Sequence, residues 1–463
     1  MPHVLQTPLR IMFGVVLLFG ILANAPIARA QTVTTTDALW AWDGENLSVC
    51  QDPTSSASIS SCFGGLKYKN LHNLITTDGT YVYTATSVDG WGYKCPVSGY
   101  GSGCIKILVG PFDVSDNMSN IDRSVTGIAA SGDYIWIAQR NAAIYRCPSN
   151  LEYSGSAPSS VPQGCVKLDD AGTRFPMSMV LANGVLYVGL ANYGGGTGLI
   201  WRCDPWVTNG CLDLDNPGNT PVYSLAVGAG YLWAGLGSGI MWRCELDLAN
   251  RCATWNKAAK AIESISYDNQ GALAAGIFGS NGVLWSCPTA TANSCSNLVT
   301  NKWVYSTAAY AGSIFGSTYD GKKCQIYFGS TPYSSSANSN CSSYGTSLLY
   351  IPAGGPTTLG SARVQVPFVK DAERLATFCA KKGRRVMADV SVSGPYGMKV
   401  KRRVNLCKLY DANSVRSEIK FGALDHGQYR VTVQSRSFYG QAEFVLNDNN
   451  VQDVSVTLRK RRK

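Results

Sequence analysis

The chain has 463 residues, with 40 Lys+Arg against 30 Asp+Glu and a formal net charge of +10. It holds 48 Gly, 24 Tyr, 11 Trp and 16 Cys but only 3 His, and charged residues make up 15% of it. A hydrophobic share of 45% excludes a mainly disordered chain, and low charge with many Gly and aromatic residues points to β-structure rather than helices.

Near the start, Arg10 precedes an apolar run at residues 11–25, followed by Ala28-Arg29-Ala30. Basic, apolar and small-residue segments in that order predict a secretory signal peptide over residues 1–30. The run is short for a bilayer span, which needs about 20 residues. No later segment is as apolar, so a secreted chain with no transmembrane segment after cleavage is expected. Secretion makes the cysteines disulfide candidates rather than metal ligands.

From residue 31 to about 360 the chain repeats. The stretch 221–252 reads PVYSLAVGAGYLWAGLGSGIMWRCELDLANRC, and 176–211 reads PMSMVLANGVLYVGLANYGGGTGLIWRCDPWVTNGC. Copies at 125–165 and 261–295 follow the same order; those ending at Cys62 and Cys104 are looser, and 304–341 is the most degenerate. The period of about 41–53 residues lies in the range of propeller arrays. Within a copy, an alternating run meets a turn signal, then come an aromatic strand, a second turn and a third strand ending in Cys. A last strand follows the second Cys. Turns such as Asn183-Gly184 and Gly228-Ala229-Gly230 supply the positive φ that tight hairpins demand. The pattern predicts an all-β chain with a seven-bladed β-propeller over 31–360.

One cysteine pair falls in each copy: Cys50/Cys62, Cys95/Cys104, Cys147/Cys165, Cys203/Cys211, Cys244/Cys252, Cys287/Cys295 and Cys324/Cys341. Their spacing suits a bridge between the third and fourth strands and matches no common zinc site. Each is read as a structural staple.

Side chains able to do chemistry are few. Beyond the leader only His72 and His426 remain, and no motif sets either beside a nucleophile. Asp169-Asp170 and Asp213/Asp215 are the acidic clusters left once turn residues are set aside. They follow a second cysteine, so they belong near an outer strand and read as solvated loop carboxylates, with calcium as the functional alternative. Trp136, Tyr187 and Trp233 recur in the second strand, Trp201, Trp242 and Trp285 recur before the first cysteine, and Arg146, Arg202 and Arg243 stand between. Recurrence in register with the fold reads as inter-blade packing, with sugar stacking as the alternative. No catalytic residues, metal site or cofactor is expected, and the chain does not read as an enzyme. Asn46, Asn117 and Asn340 open N-glycosylation sequons.

After residue 360 the repeats stop, and a last cysteine pair, Cys379/Cys407, spans a longer stretch. Alternation marks strands at 385–393, 429–435 and 451–458. The run FGALDHGQYRVTV at 421–433, with VSVTL at 454–458, resembles the second half of prealbumin-like (carboxypeptidase-regulatory-like) β-sandwich domains. That resemblance implies a non-catalytic stalk, spacer or adhesion module; the residues themselves also suit an immunoglobulin-like sandwich. Residues 361–463 are thus read as a basic β-sandwich.

The charge is divided. Residues 361–463 hold 21 Lys+Arg and 9 Asp+Glu, whereas 31–360 hold 17 and 21. In a secreted chain this favours acidic polysaccharide or glycan, or a further copy of the chain, over nucleic acid as partner. The expected function is a non-catalytic extracellular building block, self-assembling into a fibre or surface layer through exposed edges such as 31–36 or 454–458. A lectin-like propeller binding cell-wall or surface glycans is the alternative.

Overall fold

The computed structural model describes residues 37–42, 47–51, 53, 74–86, 90–99, 102–110, 124–152, 161–192, 197–246, 249–279, 281–319, 324–332, 347–351, 360–365, 385–394, 399–409, 418–424, 427–436, 438–446, 451–456 and 458–460. Residues 1–30, read above as a signal peptide, the sequon asparagines Asn46, Asn117 and Asn340, and His72 and His426 lie outside them. Among the described residues, no helix is long and apolar enough to cross a membrane.

Alternating runs pair as expected of short strands joined by tight turns. In the Cys244 repeat, Val222–Gly228, Tyr231–Leu236, Ile240–Glu245 and Cys252–Lys257 lie side by side in chain order, all antiparallel. Ala229 and Gly230 join the first two with φ of 52° and 79°, the type I′ geometry that matches strand twist. Asn183-Gly184 and Ala311-Gly312 do the same in other repeats. Six four-stranded sheets of this kind are formed among the described residues.

A further, three-stranded sheet is built differently. It takes Ala38–Trp42 and Leu47–Gln51 from early in the chain and Ser347–Ile351 from far downstream. Trp40 stands opposite Val49 on one side and Leu349 on the other. The downstream strand is the inner one, lying between the inner strands Trp303–Tyr310 and Leu74–Thr77. Inner strands therefore follow one another round a ring, and the two ends of the array are joined in one seam sheet. Contiguous copies read from the sequence do not foresee this exchange. The arrangement is a β-propeller, and the sheets are its blades.

Five of the inner strands carry one displaced residue each. Pairing with the second strand slips at Thr126, Met177, Tyr223, Glu263 and Tyr305, each a β-bulge that re-aims a side chain. A serine follows four of these bulges, and three of the four link neighbouring blades. Ser224 Oγ donates to the Ile262 carbonyl at 3.3 Å, Ser264 Oγ accepts from Thr307 N at 2.9 Å, and Ser306 Oγ accepts from Leu348 N at 2.9 Å.

Beyond the repeats, Gly360–Gln365 pairs with Glu418–Leu424 and, in parallel, with Val451–Ser455. A five-stranded sheet runs in the order Lys399–Asn405, Met387–Ser393, Gly427–Ser435, Phe438–Leu446, Arg459–Lys460. Val390, Val392, Tyr429 and Val431 from this sheet share one apolar cluster with Phe421, Leu424 and Val454 from the other. The propeller touches them at a turn: Tyr231 Oη donates to the Lys399 carbonyl at 2.8 Å, and bare Gly230 leaves room for Val400.

Candidate functional site

The acidic clusters sit on outer strands, as their position after the second cysteine predicts. They are not loop residues. Asp169 belongs to the strand Val166–Asp170, and Asp213 and Asp215 to Cys211–Asp215. In three of the outer strands a bulge at Leu168, Leu214 or Trp255 breaks the pairing. The carbonyls of these bulged residues accept from Asn209 N at 2.6 Å, Asn250 N at 2.8 Å and Asn293 N at 3.0 Å in the next blade. All three asparagines have φ of 54–56° and stand two residues before a second cysteine, so a left-handed asparagine aims its N–H at the neighbouring blade. The adjacent carboxylate completes a clasp. Asp169 Oδ2 accepts from Cys211 N at 3.1 Å, and Asp215 Oδ2 from Cys252 N at 2.8 Å.

The remaining carboxylates have local partners. Asp213 Oδ1 accepts from Trp201 Nε1 at 2.9 Å. For Asp170, partial burial opposes ionisation, but Lys167 at 2.6 Å and the Gly172 N–H outweigh it and hold the carboxyl below its ordinary range. Among the described residues, no three His, Cys, Asp or Glu side chains converge as a metal site would require.

Two of the recurrent aromatics bond to the next blade, and others bond within their own, as Trp233 Nε1 does in donating to the Gly228 carbonyl at 3.0 Å. Trp136, Tyr187 and Trp233 are buried. Trp136 Nε1 donates to the Pro205 carbonyl at 3.2 Å and Tyr187 Oη to the Leu246 carbonyl at 3.0 Å, each in the next blade. Neither ring presents a face for a sugar. The cation preceding the first cysteine lies over aromatic rings: Lys94 over Tyr81 at 4.4 Å, Arg146 over Trp206 at 5.0 Å, and Arg243 over Trp255 at 4.1 Å. Lys94 Nζ and Arg146 Nη1 also reach the following blade, at Ser149 Oγ (3.0 Å) and the Pro205 carbonyl (3.3 Å). Of the second group of tryptophans, Trp201 is buried and Trp285 Nε1 donates to Asn297 Oδ1 at 2.8 Å.

Sequence reasoning missed Glu263. It occupies a bulge on the inner strand Ile262–Tyr267, and burial pushes its carboxyl up to about 7. Burial also raises the Tyr223 phenol, at the equivalent bulge of the preceding blade, and the nearby Glu263 charge adds to the rise. A signal was present: Val222-Tyr-Ser, Ile262-Glu-Ser and Val304-Tyr-Ser repeat an apolar residue, a variable one and a serine.

No protein-family model matches the chain, and no curated protein matches it in sequence. Among solved structures it is similar to the WD40 β-propeller domain of Doa1, at 12% identity over 56% of this chain and 79% of that one, TM-score 0.38. It is also similar to the WD40 domain of coronin from Toxoplasma gondii, at 13% identity over 69% and 78%, TM-score 0.39. The computationally designed Ika8 protein gives 11% identity over 65% and 86%, TM-score 0.38. None of these brings a function to the chain.

Five bridges join third and fourth strands or their ends: Cys95–Cys104, Cys147–Cys165, Cys203–Cys211, Cys244–Cys252 and Cys287–Cys295, with Cα separations of 3.9–4.1 Å. Cys203/Cys211 and Cys244/Cys252 are direct cross-strand partners. Cys50 and Cys407 are also disulfide-bonded. Cys62, Cys341 and Cys379 lie outside the described residues, and Cys324 opens its strand rather than ending it. By the chain-entropy model, each short staple contributes roughly 2.5–3.5 kcal/mol.

Proposed function

We propose that the chain is a secreted, non-catalytic structural glycoprotein that assembles with copies of itself into a fibre or surface layer. In this reading it is a seven-bladed propeller with one disulfide per blade, followed by a basic β-sandwich. The observation that carries it is the use made of reactive side chains: Asp169, Asp215, Trp136, Tyr187 and Arg146 all bond across blades. Such a construction favours rigidity over chemistry. The six four-stranded sheets and the seam sheet support the blade count, and the apolar cluster shared by the last two sheets supports the sandwich. Five bridges suit an oxidising compartment, in which Asn46 and Asn117 would meet the glycosylation machinery.

Self-assembly has a surface available. Val451–Ser455 forms one edge of its sheet, with no described strand on its outer side, and an edge of that kind admits strand addition. Light scattering with electron microscopy on the secreted protein tests the proposal. Concentration-dependent filaments or sheets are expected; a monomer at every concentration overturns it.

Glycan binding has one observation in its favour. Trp206 is 54% exposed, with Arg146 over its ring and Tyr134 edge-on at 5.2 Å. A glycan array with Trp206→Ala as control addresses it: binding by both proteins, or by neither, removes this site.

A further inference from the structure

The edge strand Lys399–Asn405 reads KVKRRVN, and its alternation decides where each cation points. Val400 is buried, and Arg402 lies over the Phe421 ring at 5.0 Å on the core side. Lys399, Lys401 and Arg403 are exposed on the opposite face. They stand opposite Ser393, Ser391 and Asp389, and Ser393 in turn stands opposite Arg430. At about 6.8 Å per two residues, the three cations form a straight row along one margin of a polar sheet face.

Counter-ions on this face are incomplete. Lys401 pairs with Asp389 at 2.9 Å and Arg430 with Glu443 at 2.7 Å, all four side chains being 42–59% exposed. Lys399 and Arg403 have no acidic partner among the described residues. Exposed pairs of this kind exchange readily for an external anion.

We propose that this face binds an acidic polysaccharide, with Lys399, Lys401 and Arg403 contacting successive anionic groups. The row needs a ligand with repeated charge, and an extended polymer laid along the strand supplies it. Carboxylate and sulfate groups share the required chemistry. A nucleic acid is the less suitable polyanion because the disulfide-rich chain belongs in an oxidising, extracellular setting. In that choice alone the inference rests on the secreted reading above. Retention of the protein inside the cell would count against secretion, whereas the binding experiment uses purified protein and judges this face directly.

Binding of the purified full chain to immobilised dextran sulfate and polygalacturonate, measured by surface plasmon resonance at two salt concentrations, is the test. The triple variant K399Q/K401Q/R403Q is expected to bind at least about tenfold more weakly. A control removing equal charge from the propeller, R251Q/K257Q/K260Q, should stay within about twofold. Asp389→Asn, which frees Lys401, should tighten binding, and added salt should weaken it. Preference for one polymer identifies the anionic group. No binding to either polymer, equal losses in the two triple variants, or weaker binding by Asp389→Asn each overturns the proposal. So does duplex DNA that binds as tightly and shows the same losses.

Discussion

Asp215 of one blade accepts the backbone N–H of Cys252 in the next at 2.8 Å, beside a second bond from Asn250 N to the Leu214 carbonyl at 2.8 Å. A carboxylate of the kind that serves elsewhere as a ligand or a general base is here a clasp. Asp215→Ala should lower stability by about 1–2 kcal/mol, the usual cost of leaving a partly buried donor unmet. Thermal unfolding in the presence and absence of calcium checks both aspects of the role. The midpoint should fall in the variant, and calcium should shift neither protein. A calcium-induced rise lost in Asp215→Ala would make the residue a metal ligand instead.

Glu263 predicts a pH dependence with a definite sign. Its folded carboxyl titrates at about 7 because burial disfavours the charge, whereas an unfolded glutamate titrates near 4.3. Between those values the folded state holds a proton that the unfolded state has released. Stability therefore falls as pH rises from about 4.3 to 7 and levels off above. By that linkage the loss is on the order of 3 kcal/mol. Glu263→Gln should flatten this segment of the stability profile in urea titrations and be the more stable protein at pH 8. An unchanged slope would show that Glu263 ionises freely.

Gly235 lies where two blades meet. A Cβ there would collide with Ser224 Oγ and come within 2.7 Å of the Ile262 carbonyl in the next inner strand. Gly235→Ala should cost about 1–3 kcal/mol through overpacking. Adding Ser224→Ala should recover part of that loss by removing the nearest obstacle, so the pair should be non-additive. Denaturant unfolding of the two single variants and the double variant measures the coupling. Strict additivity would mean that the blades separate to admit the methyl group.

Local features of this fold were legible because they are written in short-range chemistry. Asn183-Gly184 requires positive φ, and the Cys203/Cys211 spacing suits adjacent strand ends. What was hidden depends on contacts between residues far apart. Asp169 looks like any solvent-facing acid until Cys211, in the following blade, is placed 3.1 Å away. The seam was hidden for the same reason: Trp40 and Leu349 are cross-strand partners, and no local pattern joins residues separated by nearly the whole array. Glu263 was overlooked because alternation predicts regular pairing, and a one-residue bulge breaks that rule.

Ring closure at the seam makes the last prediction. The inner strand Ser347–Ile351 is held laterally by its pairing with Ala38–Trp42 and toward the preceding blade by the bond from Leu348 N to Ser306 Oγ at 2.9 Å. On the other side, Trp42 Nε1 donates to the Ala85 carbonyl at 3.2 Å. Among the described residues, these non-covalent bonds are what holds the seam closed. Ser306→Ala deletes the acceptor of the buried Leu348 N–H and should cost about 1–2 kcal/mol. That loss should be felt first as local opening rather than global unfolding. Hydrogen exchange followed by mass spectrometry is expected to speed up in peptides covering 38–51 and 347–351. Peptides covering 222–257, in a blade remote from the seam, should exchange at the rate of the unaltered protein. Equal acceleration in both regions would mean that the ring opens only as a whole, and that the seam is no weaker than the stapled blades.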